Sequence, residues 1–486
     1  MERAGAVAIY RQGEDACVEV LLSLASAVEA LQGQVAVLES RMAELEARLR
    51  ENSRNSSRPP SSDGLGKPPP KPRSRRRRSG RKPGGQPGSE GHHLAQVADP
   101  DEVVSHEPAA CRGCGGGLED AELVGAERRQ VFDLPPETRL VVCEHRSTRR
   151  RCDCGTVTAG AFPEPVRAPA QYGPRLRAFV LYLAVYQHLP YERIQRLLAD
   201  RYGAHLSTGT LQAIVQAGAA GLGPFLEQVR LELVASPVVH VDETGARAAG
   251  KLHWVHEATT RTLALYRLHA KRGKDGIDDL GVLTNFTGTV VHDGFTPYRH
   301  YTRCSHALCN GHHLRELAAA EEQGQPWASE LACLLVELNT AVEAAKEAGQ
   351  AALDPAVLAR YQRQYRALLA AGYELNPEPD RTGRRGRPKQ GKTRSLLLRL
   401  DRYQDDALRF ATDLNVPFDN NQGERDLRMI KLQQKISGCW RSSEGAASFL
   451  ALRSYIQTAR KQGQDILAVL QDAADGRPWL PAGGET

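Results

Sequence analysis

Three carboxylates far apart in the chain stand in contexts suited to holding a catalytic metal. Asp242 closes one apolar run in Val238-Val239-His240-Val241-Asp242-Glu243-Thr244, and Asp293 closes another in Thr289-Val290-Val291-His292-Asp293-Gly294. Glu424 lies in Asp419-Asn420-Asn421-Gln422-Gly423-Glu424-Arg425, which reads as the first turns of a helix. Two strand-end aspartates and a helical glutamate are the ligand set of a two-metal phosphoryl-transfer site. Mg2+ in such a site takes oxygen ligands and keeps positions open for water and phosphate, so no side-chain nucleophile is needed. Glu424, Arg428 and Lys431 fall at i, i+4 and i+7, which puts two cations on the carboxylate's helix face where phosphates would arrive. A surface salt-bridge ladder has the same spacing.

The elements that must position these groups are legible around them. Pro237 to Glu243, Leu252 to Ala258 and Thr262 to Leu268 are short, β-rich and separated by turn residues. A charged helical piece, Lys271 to Thr284, then leads to the strand ending at Asp293. Three antiparallel strands, a helix and a further strand is the order of an RNase H-like α/β core. There the first and fourth strands are neighbours, which would unite Asp242 and Asp293. Residues 311–410 are mostly helical, interrupted by a basic loop from Arg381 to Lys389, and precede the helix of Glu424.

At 486 residues the chain should hold two or more domains. Its longest apolar run, Ala178 to Tyr186, is too short to span a bilayer, and no signal peptide is legible. A cytoplasmic location without membrane contact is therefore expected, where ten cysteines act as thiols or metal ligands rather than disulfides. The net charge of +6 is uneven: eleven Lys/Arg and one acid lie between Arg54 and Lys82. That stretch is part of a Pro/Ser/Gly/Arg-rich segment, 52–99, which cannot bury enough apolar surface to fold by itself. It reads as a linker and as an arm in which Arg75, Arg76, Arg77, Arg78, Arg81 and Lys82 neutralise nucleic-acid phosphates.

Ahead of the arm, residues 1–51 carry Leu24, Leu31, Leu38 and Leu45 every seven residues, interleaved with Val28, Val35, Met42 and Leu49. This pattern predicts a coiled coil joining two or more copies of the chain, or else a helix packed on its own domain. Residues 100–165 hold Cys111-x2-Cys114 and Cys152-x-Cys154, each pair followed by glycine. Such pairs predict a four-cysteine zinc site, with strands at Arg129–Asp133 and Arg139–His145 between them; two unrelated thiol pairs are the alternative. Residues 166–235 are helical, and the glycine turn and Ser/Thr cap after Tyr202 make a helix-turn-helix candidate for DNA binding. The core would then comprise 236–310 and 411–460, followed by a tail, 461–486.

The spacing Asp419-Asn420-Asn421-x2-Glu424-Arg425-x2-Arg428-x2-Lys431, with the later Lys435-x-Ser437-Gly438, resembles the C-terminal motif of bacterial insertion sequence 66 family DDE transposases. The similarity extends to Val241-Asp242-Glu243-Thr244, to Asp293-Gly294 and to Cys309-x2-His312-x2-Arg315, where Asn310 and Gly311 stand in place of the Trp and Ala of many relatives. The zipper, the Asn-Ser-Ser-Arg-Pro-Pro-Ser-Ser-Asp segment, the Gly-Arg-Lys-Pro-Gly-Gly-Gln-Pro-Gly arm and the cysteine pairs match as well.

The resemblance implies an RNase H-like catalytic domain interrupted by a helical insertion, 311–410, with a catalytic triad of Asp242, Asp293 and Glu424 using two Mg2+ or Mn2+ ions, a structural Zn2+, and Lys431 on phosphate. His312 and Arg315 would lie near the site. The implied partners are element ends and target DNA, further copies of the chain and accessory proteins of the same element, with the protein on the nucleoid when DNA-bound. The implied activity is cleavage at terminal inverted repeats and transfer of the 3′-hydroxyls. A catalytically decayed DNA-binding regulator and an RNase H-like nuclease are the competing expectations.

Overall fold

The computed structural model describes residues 3–50, 52, 55–56, 94–135, 138–379 and 390–481. Arg75, Arg76, Arg77, Arg78, Arg81 and Lys82 of the arm, and the basic loop 381–389, lie outside them. Helix α1 (Arg3–Tyr10) is followed by the 37-residue α2 (Glu14–Arg50). Leu24, Val28, Leu31, Val35, Leu38, Met42, Leu45 and Leu49 are all exposed on α2, so among the described residues nothing covers the heptad stripe. By length and composition Glu14–Val35 is also apolar enough to cross a bilayer. Glu14, Asp15, Glu19 and Glu29 fall within it. Beyond α2, the Asn55 amide donates to Glu322 Oε2 at 2.8 Å, while its Oδ1 accepts from the Asn52 N–H at 2.8 Å.

In the cysteine-bearing segment, β1 (Arg149–Arg151) pairs antiparallel with β2 (Val157–Ala159) around Cys152 and Cys154. The strands expected at 129–133 and 139–145 do not form; Val131, Val141 and Val142 stand exposed there. A β-rich run without a partner edge or a sheet face to cover does not become a strand.

Helices α3 (Pro174–Leu181), α4 (Tyr191–Tyr202), α5 (Thr208–Ala220) and α6 (Gly223–Ala235) follow, with one π-helical turn at Tyr182–Tyr186. Gly203 ends α4 at φ +61, and Ser207 Oγ accepts the Thr210 N–H to start α5. The turn has helix-turn-helix form, yet α5 carries no Lys or Arg and buries Leu211, Ile214, Val215 and Gly218.

A five-stranded sheet comes next: β3 (Val238–Ala248), β4 (Lys251–Thr259), β5 (Ala264–His269), β6 (Thr289–His292) and β7 (Ser305–Leu308), with α7 (Lys274–Leu280) between β5 and β6. The spatial order is β5-β4-β3-β6-β7, antiparallel across the first three and parallel from β3 to β7. At Gly288 an added Cβ would lie 2.5 Å from the Pro237 carbonyl, so only glycine lets β6 begin against β3. After β7 the chain leaves the sheet through α8 (Asn310–Glu322), α9 (Pro326–Glu347), α10 (Pro355–Leu375), α11 (Lys392–Arg402), α12 (Gln404–Ala407) and α13 (Arg409–Thr412). It returns through α14 (Asn421–Ser437), α15 (Ser443–Lys461) and α16 (Ile466–Ala474).

Side-chain alternation on β6 divides the interior. Val290 belongs to a core shared by the sheet, α3–α6 and α14–α16, whereas Val291 joins a second core built by α8–α13. Residues 461–486, expected as a tail, contain α16, which buries Val469, Leu470 and Ala473 in the first core.

Candidate active site

Strands β3 and β6 pair in parallel with Val238 opposite Thr289, Val239 opposite Val290 and His240 opposite Val291. Two residues further along this register, Asp242 stands beside Asp293, just where β6 ends. Gly294 then turns the chain at φ +94, a conformation that L side chains resist. The Gly294 N–H donates to His292 Nδ1 at 3.0 Å, so His292 carries its proton on Nε2, toward His306 Nδ1 at 3.1 Å. His306 Nε2–H in turn faces the Tyr301 carbonyl at 3.1 Å. Two neutral imidazoles thus fix the turn that aims Asp293, and burial lowers both of their pKa values.

Helix α14 brings Glu424 to this strand pair, and Asn420 sets where the helix begins. Asn420 is 1% exposed. Its Oδ1 meets His240 Nδ1 at 2.7 Å, its Nδ2 donates to the Val241 carbonyl at 3.0 Å, and its N–H donates to Cys309 Sγ at 3.1 Å. One residue therefore joins β3, the start of α8 and the start of α14. Further along, Lys431 Nζ donates to the Gly245 carbonyl at 2.6 Å, so α14 lies along β3 in the strand's own direction. Glu424 Oε1 accepts from Arg315 Nη2 at 3.1 Å, with His312 Nδ1 3.6 Å away.

Like charge dominates the site. Burial, then Glu243, Asp293 and Glu424, raise the pKa of Asp242 well above the carboxylate range. Glu243 points to the opposite sheet face, where Tyr298 Oη at 2.6 Å and Arg272 at 2.8 and 3.0 Å hold it. Burial and Asp293 still raise its pKa. Opposite Asp242 across β4, Glu257 is 1% exposed, with both oxygens unbonded among the described residues. Burial and the Asp426 charge raise Glu257. Asp426 itself is paired with Lys461 at 2.6 Å and accepts from Thr259 at 2.9 Å and from Gln457 and Gln422 at 2.8 Å.

The nearby arginines go to Glu243 and Glu424. Among the described residues, Asp242 and Asp293 receive only backbone donors, the N–H of Glu243 and of Phe295, both at 2.8 Å. Oxygen donors with excess negative charge suit a hard divalent cation, but Asp242, Asp293 and Glu424 do not share one 4.8 Å cluster among the described residues.

The other expected site residues are distributed as follows. Arg428 is exposed on α14, and Lys431 is engaged with β3 rather than open to a phosphate. Each cysteine pair forms a tight turn: the Cys111 N–H donates to Gly116 O, and the Cys152 N–H to Thr156 O, both at 2.8 Å. Thr156 lowers Cys154 to about 7, and the amides of Cys114 and Gly113 lower Cys111. The pairs do not meet, since no three of Cys111, Cys114, Cys152 and Cys154 share one 4.8 Å cluster.

Sequence reasoning overlooked Glu257 and gave Glu243 and Asn420 no role beyond their motifs. Alternation would have flagged Glu243 as facing away from Asp242. Asn420 stood in the quoted motif without a role, because its partners on β3 lie 180 residues earlier.

Residues 10–95 match a family of unknown function (DUF6444). An uncharacterized protein, y4jD, of Sinorhizobium fredii (strain NBRC 101917 / NGR234) is 24% identical over 414 residues, 77% of this chain and 76% of that protein. Residues 169–448 match the transposase family IS66, a span that contains the sheet, the helical excursion and the start of α15. With more than half of its length inside that match, the chain belongs to the IS66 transposase family.

Proposed function

We propose that the protein is a DDE transposase whose triad is Asp242, Asp293 and Glu424, carried on an RNase H-like core interrupted by α8–α13. The observation that carries this reading is the β3–β6 register, which sets Asp242 beside Asp293 on the sheet face to which α14 brings Glu424. The reaction is nucleophilic displacement at DNA phosphorus, first by water at the element ends and then by the freed 3′-hydroxyls on target DNA. Bound among the three carboxylates, Mg2+ or Mn2+ would activate the attacking oxygen and offset charge on the leaving one.

The protein's own residues prepare the site. Neutral His292 and His306 hold the Asp293 turn, Asn420 sets the start of α14, and Arg315 orients Glu424. Exposed Arg428 is the α14 cation suited to a flanking phosphate, and the arm arginines 75–78 and 81 with Lys82 would add sequence-independent affinity. The stripe on α2 would join copies of the chain, so that paired ends meet paired active sites. Zn2+ at the two cysteine turns would require them to approach each other. Absence of bound zinc after chelator-free purification would remove that assignment.

Strand transfer from an oligonucleotide carrying the element end tests the triad. Asp242→Asn, Asp293→Asn and Glu424→Gln should each lower the rate by about 100-fold or more while DNA binding persists. Transfer retained in all three overturns the assignment. End-specific binding without cleavage in any metal would instead favour a regulator.

A further inference from the structure

We propose that Cys309, His312 and Glu424 form a second metal site, for an ion that prefers thiolate and imidazole such as Zn2+, and that filling it withdraws Glu424 from the catalytic carboxylates. The part concerning withdrawal rests on Glu424 being catalytic; the binding site itself does not.

The three ligand atoms already lie within 4.8 Å of one another. Zn–S near 2.3 Å and Zn–N near 2.0 Å place tetrahedral ligand atoms about 3.5 Å apart, so side-chain rotation of about 1 Å closes the cluster. The backbone supplies the geometry. Cys309 precedes the first residue of α8 and His312 sits three residues later, on the same face. Glu424 lies in the first turn of α14. The two helix starts are tied together by the Asn310 N–H to the Phe418 carbonyl at 3.1 Å and by the Asn420 N–H to Cys309 Sγ at 3.1 Å.

Two helix N-termini therefore converge on the sulfur, an arrangement that favours its thiolate once a cation is present. An ion binding here would displace the Cys309 proton to solvent. Arg315 Nη2 donates to Glu424 Oε1 at 3.1 Å and stands 3.5 Å from His312 Nδ1, so an ion taking both ligand atoms would displace the guanidinium.

Selectivity follows from donor type. Mg2+ has no use for sulfur, whereas Zn2+ takes sulfur, nitrogen and one carboxylate oxygen and leaves a fourth position for water. Zn2+ should then inhibit Mg2+-dependent strand transfer by capturing Glu424, through residues that the carboxylate set does not include.

Cobalt(II) titration of the full chain reads the site without activity. Thiolate-to-cobalt charge-transfer absorption should fall in Cys309→Ser, and the visible bands should change in His312→Gln. Unchanged spectra in both variants overturn the site. In the activity arm, the Zn2+ concentration that halves Mg2+-dependent transfer should rise about 10-fold or more in Cys309→Ser, as expected for loss of a ligand. Equal zinc sensitivity overturns the withdrawal of Glu424. If Cys309→Ser misfolds, His312→Gln carries both arms. If the wild-type protein transfers no strand at all, the catalytic reading fails, and the cobalt spectra still decide the site.

Discussion

At Asp242, folding and the proposed metal binding would be opposed through charge. Its pKa is raised, so without a cation its ionised form costs stability as pH rises through the folded value. Asp242→Asn should therefore raise the melting temperature in chelator, by roughly 2–4 °C for each kcal/mol of relieved repulsion, and abolish stabilisation by Mg2+. Thermal scans with and without Mg2+ check this; a lower melting temperature in chelator would contradict it.

The buried histidines act in the other direction on the pH axis. His188, His240, His256, His292, His306, His312 and His313 all have depressed pKa values, chiefly through burial. Their folded values lie below the unfolded value of about 6.5, so stability is complete above that pH and is lost as pH falls below it. His188, lowered to about 4, alone accounts for about 3 kcal/mol by pH 4. It sits at φ +59 with both ring nitrogens unpartnered among the described residues. Asparagine tolerates that backbone, so His188→Asn should flatten the fall in melting temperature between pH 7 and pH 5. An unchanged slope would remove His188 from the acid limb.

At the scale of elements, α14 acts as a ruler laid along β3, with Asn420 at its zero mark and Lys431 further along. Asn420→Ala should cost about 1–3 kcal/mol in urea unfolding, because buried partners are left unpaired. It should also slow strand transfer by about 100-fold through misplacement of Glu424. A stability loss with an unchanged rate would show that α14 finds its position without this residue. The Lys461–Asp426 pair beneath the sheet is the second fastening, with side chains 8% and 3% exposed. Lys461→Met should destabilise by about 3–5 kcal/mol, since Asp426 is left buried and charged. Denaturant midpoints measure it.

These elements also mark how far sequence reading reaches. Strands β3, β4 and β5 are bounded by turn residues and rich in β-formers, so alternation and length exposed them. The 51-residue offset between Asp242 and Asp293 gained meaning from strand order alone. The cysteine module misled because Val131, Val141 and Val142 look like strand residues but have no edge to join. The role of Asn420 and the histidine pair behind Asp293 were hidden for one reason. Each takes its role from a partner supplied by another element, which no local pattern records.

At the scale of the whole molecule, two cores share one sheet, while α2 offers a long apolar stripe that no described residue covers. Leu31→Asp with Leu38→Asp should convert a coiled-coil dimer into monomers in sedimentation velocity and reduce joining of paired ends more than binding of single ends. An unchanged sedimentation coefficient would exclude the zipper as the source of association.

The contact between Asn55 and Glu322 sets the length of a tether. From Arg50, the end of α2, to Asn55 the chain reaches at most about 18 Å. Asn55 is moored to the final turn of α8, the helix whose first turn bears His312 and Arg315. Chains paired along α2 would thus hold their catalytic bodies on short leashes of equal length. The spacing between two DNA ends would be a property of the protein before any DNA arrives.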